Sequence, residues 1–341
     1  MKAIIVGCGG IAQVHAKVLS FMPSVQLVGC ADIRMERAQA LAGQYGINAY
    51  TSLEEMLARE SADVLHICTP HYLHVPMAVQ GLQNHLHVFM EKPPAISAEQ
   101  IKQLKEQLKL SCTQLGVCFQ NRYNPSVQQV RHEIASGAMG KVLGARAFVT
   151  WKREEPYYTE SGWRGTWETE GGGVLINQSI HTLDLLRYFL GEPDLVEGTV
   201  KNHHLKGIIQ VEDTAEAYFR FGDIPVLFYA TTAYCTDAPV LLEFACEKAV
   251  IRIENERVQY CYSDGRMEEK NLHFSSVSSG YGKDYWGNGH QACISDFYRC
   301  IESGEKAPIS LEDASCTLKM MLGIYESSKQ GKTVPLVDSL A

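Results

Sequence analysis

The first third of the chain alternates short apolar stretches with amphipathic ones. The apolar stretches are partly β-branched and end at glycine, proline or a polar residue, which is typical of buried strands. They lie at residues 2–7, 25–32, 63–70, 87–93 and 113–120. Helical periodicity separates them, at residues 11–21, 35–45, 52–59, 75–83 and 98–110. This alternation predicts an α/β domain over residues 1–121, built on a doubly wound parallel sheet with helices on both faces.

The pattern changes after residue 121. A proline-opened helix is predicted over 125–136, and strands then follow one another at 143–153 and across 196–265. Two helices close the chain, one from about residue 289 and one over 310–331. We therefore predict an α+β domain over residues 122–341, built on a mostly antiparallel open sheet. Because helices would cover only one face of that sheet, we expect a homodimer or homotetramer.

Composition narrows the classes of partner. The 341 residues carry a net charge of −8 and no basic run, so we expect no nucleic-acid partner. No stretch reaches the roughly 18 apolar residues of a membrane span, and the opening apolar run is too short for a signal segment, so we expect a cytoplasmic protein with no membrane partner. The eleven cysteines are odd in number and form no C-x-x-C pair, which favours neither a disulfide framework nor a structural zinc site.

A glycine-rich turn directly follows the first predicted strand. It reads G-x-G-x-x-A, with Gly7, Gly9 and Ala12 at its defining positions and Gly10 and Ile11 between the last two, and we expect all five to contact the cofactor. Gly7 permits a tight turn, Gly9 lets the backbone approach a pyrophosphate, and Ala12 keeps the following helix close to the strand. The helix N-terminus offers N–H donors to phosphate. This context predicts a dinucleotide site.

The second strand ends at Asp32, where an acidic residue would accept hydrogen bonds from the adenosine ribose. Its charge would repel a 2′-phosphate, which favours NAD. Arg34 and Arg37 follow closely and could hold a phosphate, so NADP stays possible.

Further cofactor contacts are predicted where later strands end, because ligands bind at the carboxyl edge of open parallel sheets. Thr69 and Pro70 end the third predicted strand and His74 follows it, and Glu91 and Lys92 lie at the end of the fourth. Desolvation and a positive nicotinamide ring would lower the pKa of Lys92 toward neutrality. The alternative is a solvated lysine paired with Glu91. His71 and His74 lie close together after Pro70, but the pattern offers no third ligand, so we predict no metal site there.

A second group of polar residues follows the glycine triplet at 171–173. Asn177 and His181 are four residues apart, so on a helix they would share a face, and Asp184 could orient the imidazole. The glycines would let a backbone or a ligand come close. A histidine that only packs is the alternative.

Taken together, these motifs resemble the glucose-fructose oxidoreductase, inositol dehydrogenase and rhizopine-catabolism (Gfo/Idh/MocA) family. The resemblance rests on the glycine turn, Glu91-Lys92-Pro93, Asn124-Pro125, Trp163-Arg164, and the glycine triplet followed by His181. It implies that Lys92 binds a substrate hydroxyl and acts in proton transfer, and that His181 is a substrate contact or the general acid/base. Many members carry Asp where this chain has Asn177, which cannot take a proton.

The expected activity is hydride transfer between a secondary alcohol of a sugar, polyol or amino-sugar derivative and NAD(P), with Lys92 or His181 taking the hydroxyl proton. Aromatic and cationic side chains could line the substrate pocket beside Asn177, or simply pack. They are Arg122, Tyr123, Tyr157, Trp163 and Arg164. Two alternatives stay open: an NAD-dependent glycoside hydrolase, which the resemblance also permits, and a non-catalytic NAD-sensing regulator.

Overall fold

The computed structural model describes residues 1–273 and 289–336, which fall into two units. The first contains Met1–Gln120 and Gly289–Ser315. The second contains residues 121–273 and 316–336. The sequence pattern predicted that all residues after 121 belong to the second domain. The structure differs in the segment Gly289–Ser315, which belongs to the first unit.

A six-stranded parallel sheet, in the order β3-β2-β1-β4-β5-β6, forms the centre of the first unit. Its strands are β1 (Lys2–Val6), β2 (Gln26–Ala31), β3 (Asn48–Tyr50), β4 (Val64–Ile67), β5 (His87–Glu91) and β6 (Leu115–Cys118). Its helices are α1 (Gly10–Ser20), α2 (Met35–Tyr45), α3 (Leu53–Arg59), α4 (His74–Gln83), α5 (Ala98–Lys109) and α9 (His290–Ser303), with a short 3-10 helix at His71–Leu73. The doubly wound parallel fold is confirmed. The pattern missed β3, an edge strand of three residues that is too short to show periodicity.

The strands of this sheet are mostly apolar because helices cover both faces. Ile4, Ile5 and Leu65 in its central strands have no exposed surface. Helix α9 packs against α1 and β6. A Cβ added at Gly116 of β6 would lie 2.6 Å from the Phe297 ring of α9, so strand and helix are in close contact. This packing explains why a segment so late in the chain belongs to the first unit.

The second unit is built on a nine-stranded sheet in the order β14-β13-β12-β11-β7-β10-β9-β8-β15. Its strands are β7 (Val142–Thr150), β8 (Leu195–Lys201), β9 (Thr214–Phe221), β10 (Ile224–Thr231), β11 (Leu241–Cys246), β12 (Ala249–Glu254), β13 (Arg257–Tyr262), β14 (Met267–Asn271) and β15 (Val334–Pro335). Strands β7 and β10 pair in parallel, and each of the other described pairs is antiparallel. The mostly antiparallel sheet is confirmed.

Helices cover one face of this sheet. They are α6 (Pro125–Ala135), α7 (Glu155–Thr159), α8 (Ile180–Leu190) and α10 (Leu311–Gln330), the last of which begins in the first unit's segment. The ring of Phe189 on α8 lies 4.7 Å from that of Phe244 on β11, centroid to centroid. On the other face Leu227 is 57% exposed and its cross-strand neighbour Tyr218 is 37% exposed. In the described part of the chain, no helix combines the length and apolarity needed to cross a membrane.

Candidate functional site

The three glycines of the first turn have different surroundings. Gly7 has φ +84°, and a Cβ there would lie 2.7 Å from the Cys68 carbonyl group, so the fold itself requires glycine at this position. At Gly9 and Gly10, by contrast, no atom of the described residues lies within 4 Å of an added Cβ. The packing of the described chain therefore does not explain these two glycines. A ligand backed against the turn would.

Asp32 is joined to this turn by its carboxylate. Its Oδ2 accepts a hydrogen bond from the Cys8 N–H at 2.8 Å, and its Oδ1 accepts one from the Arg34 N–H at 2.9 Å. The exposed guanidinium of Arg34 pairs with Glu36, with 2.8 Å between Nε and Oε1. Arg34, one of the two cations that could favour a 2′-phosphate, thus already has an acidic neighbour.

These residues fit a dinucleotide. Helix α1 is 11 residues long and begins at Gly10, so its first N–H groups and its positive dipole end face the turn. Among the residues that the structure describes, no side chain caps that end. A pyrophosphate at Gly9, Gly10 and Ile11, with the ribose at Asp32, would use donors and an acceptor that are already in place.

His74 ties two loops of the first unit together. Its buried ring places Nδ1 2.8 Å from the Pro93 carbonyl oxygen and Nε2 2.9 Å from the Thr69 carbonyl oxygen. Burial lowers the pKa of His74, against the opposing effect of these two carbonyls. His74, which was predicted to contact a cofactor, therefore fixes the backbone directly before Pro70 and directly after Lys92.

Glu91 is the buried end of β5, and it also faces protein groups. Its Oε1 lies 3.1 Å from His15 Nε2 and 3.8 Å from His290 Nε2. His15 Nδ1 lies 3.0 Å from His66 Nδ1, and His66 Nε2 lies 2.9 Å from the Tyr298 hydroxyl. Burial alone would raise the pKa of Glu91, but the hydrogen bond and charge of His15 hold it well below the ordinary value.

Cys118 completes a group of three possible metal ligands with His15 and Glu91, whose ligand atoms lie within 4.8 Å of one another. The direct contact between His15 and Glu91 already gives each of those side chains a partner. We therefore interpret the group as a buried histidine–carboxylate hydrogen bond beside a thiol.

Lys92 follows Glu91 directly and precedes a cis peptide bond to Pro93. It is partly buried. Because β1 and β5 are parallel strands of one sheet, Lys92 and the glycine turn lie at the same carboxyl edge.

The glycine triplet of the second unit is enclosed by its own chain. A Cβ at Gly173 would lie 1.9 Å from the Glu212 carbonyl oxygen, and one at Gly172 would lie 2.1 Å from the Tyr325 hydroxyl. Glu212 Oε1 accepts hydrogen bonds from the N–H groups of Gly173 and Leu175 and from the Tyr325 hydroxyl, at 2.8–3.0 Å. Burial raises the pKa of Glu212 to about 7.

The expected helix face shared by Asn177 and His181 is not formed, because α8 begins only at Ile180. Backbone bonds of the preceding segment run instead to Glu212 and within a turn: the Val174 N–H donates to the Glu212 carbonyl, and Ser179 donates back to Val174. Asn177 therefore lies in a turn before the helix, and His181 lies in its first turn.

Asp184, expected to orient His181, binds elsewhere. Its carboxylate accepts two hydrogen bonds from the Arg122 guanidinium, at 2.7 and 2.6 Å, and one from the Thr317 hydroxyl at 2.8 Å. Arg122 and Asp184 are both buried. The predicted substrate contact Arg122 thus forms a structural ion pair, and its neighbour Tyr123 is partly buried.

Asn177 belongs to a polar and aromatic cluster with residues from the loops before the triplet. Its Nδ2 lies 2.6 Å from Glu170 Oε1 and 3.3 Å from the Tyr157 hydroxyl. The Arg164 guanidinium carbon lies 4.4 Å from the centre of the Tyr157 ring and 4.7 Å from that of Trp163. The structure thus brings together four residues singled out from the sequence.

Sequence reasoning missed the buried carboxyls of this unit. Glu170 has no exposed surface, and burial raises its pKa to about 7 despite hydrogen bonds from Gly165 and Asn177. Its position directly before the triplet was the available signal. Glu212 lies far from the triplet in sequence, and nothing in the local pattern indicated its contact.

Two family models match the chain. One is described as the oxidoreductase family with an NAD-binding Rossmann fold and matches residues 1–119. The other is the GFO/IDH/MocA C-terminal domain, over residues 127–252. The first supports NAD as the cofactor of the glycine turn.

Among curated relatives, D-glucoside 3-dehydrogenase of Escherichia coli K12 is 32% identical over 57% of this chain and 55% of its own length. The match therefore spans about half of that relative. The scyllo-inositol 2-dehydrogenase (NAD(+)) of Bacillus subtilis 168 is 25% identical over 98% of this chain and 96% of its own. Among solved structures, the WlbA dehydrogenase of Bordetella pertussis, in complex with NADH and UDP-GlcNAcA, is 27% identical, with a TM-score of 0.84 and 98% of each chain covered.

Proposed function

Because the chain belongs to the GFO/IDH/MocA oxidoreductase family, we propose that it is an NAD-dependent dehydrogenase acting on a secondary hydroxyl of a sugar, polyol or amino-sugar derivative. The observation that carries the proposal is the pair of glycines, Gly9 and Gly10, that no described side chain or backbone crowds. They lie at the same sheet edge as Lys92. The names of relatives that act on glucosides and inositols support the substrate class.

Oxidation of an alcohol to a ketone requires a hydride acceptor and a base that takes the hydroxyl proton. NAD, when bound, supplies the hydride acceptor. As the carbinol C–H bond breaks and the ketone forms, the hydroxyl proton passes to Lys92 or to His181. If Lys92 is the base it starts as a neutral amine; if His181 is the base, a cationic ammonium at position 92 would stabilise the negative charge that grows on the oxygen.

We assign substrate contacts to the cluster in the second unit. Tyr157 and Trp163 offer aromatic faces suited to the C–H faces of a sugar ring. The Arg164 Nε is buried and has no hydrogen-bond partner among the described residues, so the guanidinium suits a substrate carboxylate or phosphate. Asn177 offers an amide, and Tyr123 remains a predicted contact.

A screen of sugars and inositols tests the proposal, with the absorbance of reduced nicotinamide as the readout. We expect NADH to accumulate with at least one ring polyol. In Lys92→Ala, turnover should fall by roughly two to four orders of magnitude, as expected for loss of a general acid/base, while NAD affinity stays close to that of the wild type. Wild-type turnover in that variant would remove Lys92 from the mechanism. Cleavage of a glycoside without NADH accumulation would favour an NAD-dependent glycoside hydrolase. Binding of NAD without any turnover would favour a non-catalytic NAD-sensing regulator.

A homodimer or homotetramer in the cytoplasm is part of the same proposal. The sheet face on which Leu227 is 57% exposed supports the assembly, because Tyr218 and Arg146 lie beside Leu227 on the two adjacent strands. Light scattering of the wild type and of Leu227→Glu would test it: the proposal expects an oligomer that the added charge weakens, and a wild-type monomer would refute it.

A further inference from the structure

Two arginine side chains flank the Tyr157 ring, and they differ in how their charge is balanced. The guanidinium carbons of Arg153 and Arg164 lie 5.4 and 4.4 Å from the centre of that ring. Arg153 pairs with Asp237, with 2.9 Å between Nη1 and Oδ1. The Arg164 Nε is buried and has no hydrogen-bond partner among the described residues. Because a buried N–H group without an acceptor is costly, a ligand that supplies the acceptor would be favoured at Arg164.

Gln178 supplies a second buried polar atom that lacks a partner. The residue is only 6% exposed. Its Nε2 lies 3.1 Å from the Tyr157 hydroxyl, and its buried Oε1 has no hydrogen-bond partner in the described part of the chain. If the amide is turned over, the oxygen takes the Tyr157 contact and the nitrogen loses it. One amide atom of Gln178 therefore stays unsatisfied in either orientation.

The two unsatisfied groups belong to one cluster, because Tyr157 contacts both side chains. Its ring faces the Arg164 guanidinium, and its hydroxyl lies beside the Gln178 amide. A cationic donor and a neutral amide together suit a ligand that carries an anionic oxygen and a hydroxyl. The aromatic faces of Tyr157 and Trp163 suit the C–H groups of a sugar ring. A sugar with an acidic group has all of these features.

We propose that Arg164 and Gln178 form a subsite for an anionic sugar, in which the guanidinium binds a carboxylate or a phosphate group and the amide binds a neighbouring hydroxyl. This inference rests on the proposed function, because it takes the cluster around Tyr157 to contact the substrate. It narrows the substrate class from sugars and polyols in general to sugar acids and sugar phosphates.

The charge of Arg164 is only partly offset within its own unit. The carboxyl group on which this charge acts is Glu170. Burial raises the pKa of Glu170 to about 7, so near neutral pH this carboxyl is ionised in only part of the molecules. A guanidinium without a permanent anion can accept one from a ligand, and its planar fork can form two parallel hydrogen bonds to a carboxylate or a phosphate.

Three sugars with the same ring test the inference: glucose, glucuronate and glucose 6-phosphate. We expect the wild type to oxidise at least one of the two anionic sugars with a kcat/KM about tenfold or more above that for glucose, as a charge-assisted hydrogen bond would give. A preference for glucuronate identifies a carboxylate subsite, and a preference for glucose 6-phosphate identifies a phosphate subsite.

Arg164→Gln removes the charge and keeps a polar side chain. It should lower kcat/KM for the preferred anionic sugar by roughly 10- to 100-fold, the usual range for a hydrogen bond to a charged group, and kcat/KM for glucose by less than about threefold. Arg266→Gln, the same substitution at an exposed arginine of the same unit, should leave the values for all three sugars unchanged.

Gln178→Glu tests the other half of the subsite, and it keeps the test decisive if Arg164→Gln does not fold. The new carboxylate would repel an anionic sugar and pair with Arg164, so kcat/KM should fall about tenfold further for the anionic sugar than for glucose. Gln178→Met removes the amide without adding charge. It should weaken both kinds of sugar alike, because both carry the hydroxyl.

Isothermal titration of the NAD-loaded protein gives a readout independent of turnover. We expect glucuronate or glucose 6-phosphate to bind the wild type at least about tenfold more tightly than it binds Arg164→Gln. If the wild type oxidises no sugar, the proposed function fails, yet this titration still reports whether Arg164 binds an anion. Oxidation of glucose as efficiently as of both anionic sugars, or an equal loss for neutral and anionic sugars in Arg164→Gln, would overturn the inference.

Discussion

The two glycine turns of this chain look alike in sequence but differ in what surrounds them. In the first unit, no described atom lies within 4 Å of a Cβ added at Gly9 or Gly10. In the second unit, a Cβ at Gly173 would lie 1.9 Å from a carbonyl oxygen and one at Gly172 would lie 2.1 Å from a hydroxyl. The described fold has room for a side chain at Gly9 and Gly10. At Gly172 and Gly173 it has none, so these two positions require glycine.

Under the proposed function, the first turn leaves room for a dinucleotide, whereas the second turn is filled by its own chain. The triplet does not itself face the substrate in our account. It lets Glu212 and Tyr325 approach the backbone closely, so that Glu212 accepts hydrogen bonds from the Gly173 N–H and the Tyr325 hydroxyl. Glycine in a motif therefore indicates a close approach, and only the structure shows what approaches.

Gly173→Ala should have the largest effect of the changes that test this contrast. The added methyl group overlaps backbone, which cannot move as a side chain can, so we expect a loss of more than about 4 kcal/mol in the free energy of unfolding. Urea denaturation of the purified variant would measure it, or the variant would fail to accumulate in soluble form. A loss below about 1 kcal/mol would mean that the triplet is not tightly enclosed.

The second turn should also make stability depend on pH. Glu170 and Glu212 each have a pKa raised from 4.5 to about 7 by burial, so the folded state holds their protons more tightly than the unfolded state does. Their stabilising contribution is complete below about pH 4.5 and is lost as pH rises through about 7, at an upper limit on the order of 3 kcal/mol each. Urea denaturation from about pH 5 to about pH 8 should show this decline, and Glu212→Gln should reduce its slope. An unchanged slope would contradict the assignment.

Asp32→Ala tests whether the first glycine turn binds NAD. Asp32 both accepts the Cys8 N–H and is positioned for the ribose, so its loss should weaken NAD binding by roughly 10- to 100-fold. NADP should lose less, because the carboxylate that repels its 2′-phosphate is gone. Isothermal titration with both cofactors would measure the two affinities. A wild type that prefers NADP would refute the cofactor assignment.

Much of the fold could be predicted because hydrophobic periodicity reports local burial. The strands of the first sheet and the antiparallel order of the second followed from it, whereas β3 was too short to give a signal. The return of α9 to the first unit depends on a tertiary contact between Phe297 and Gly116 that no local pattern encodes.

The candidate site divides in the same way. The glycine turn, Asp32 and Lys92 carry motif spacing that the sequence displays directly. The partners of Asn177 and Asp184 could not be inferred. Helical spacing assumed a helix that includes Asn177, whereas α8 begins at Ile180, and Arg122 reaches Asp184 across 62 residues of sequence.

The most direct test of the central claim is the affinity of Gly9→Ala for NAD, measured by isothermal titration together with its unfolding temperature. The Gly9 backbone has φ −78°, which alanine adopts without strain, so we predict wild-type unfolding and NAD binding weaker by about tenfold or more, as expected when a methyl group meets a bound pyrophosphate. Wild-type affinity in a normally folded variant would contradict the account, because the open space at this turn would then not be where the dinucleotide lies.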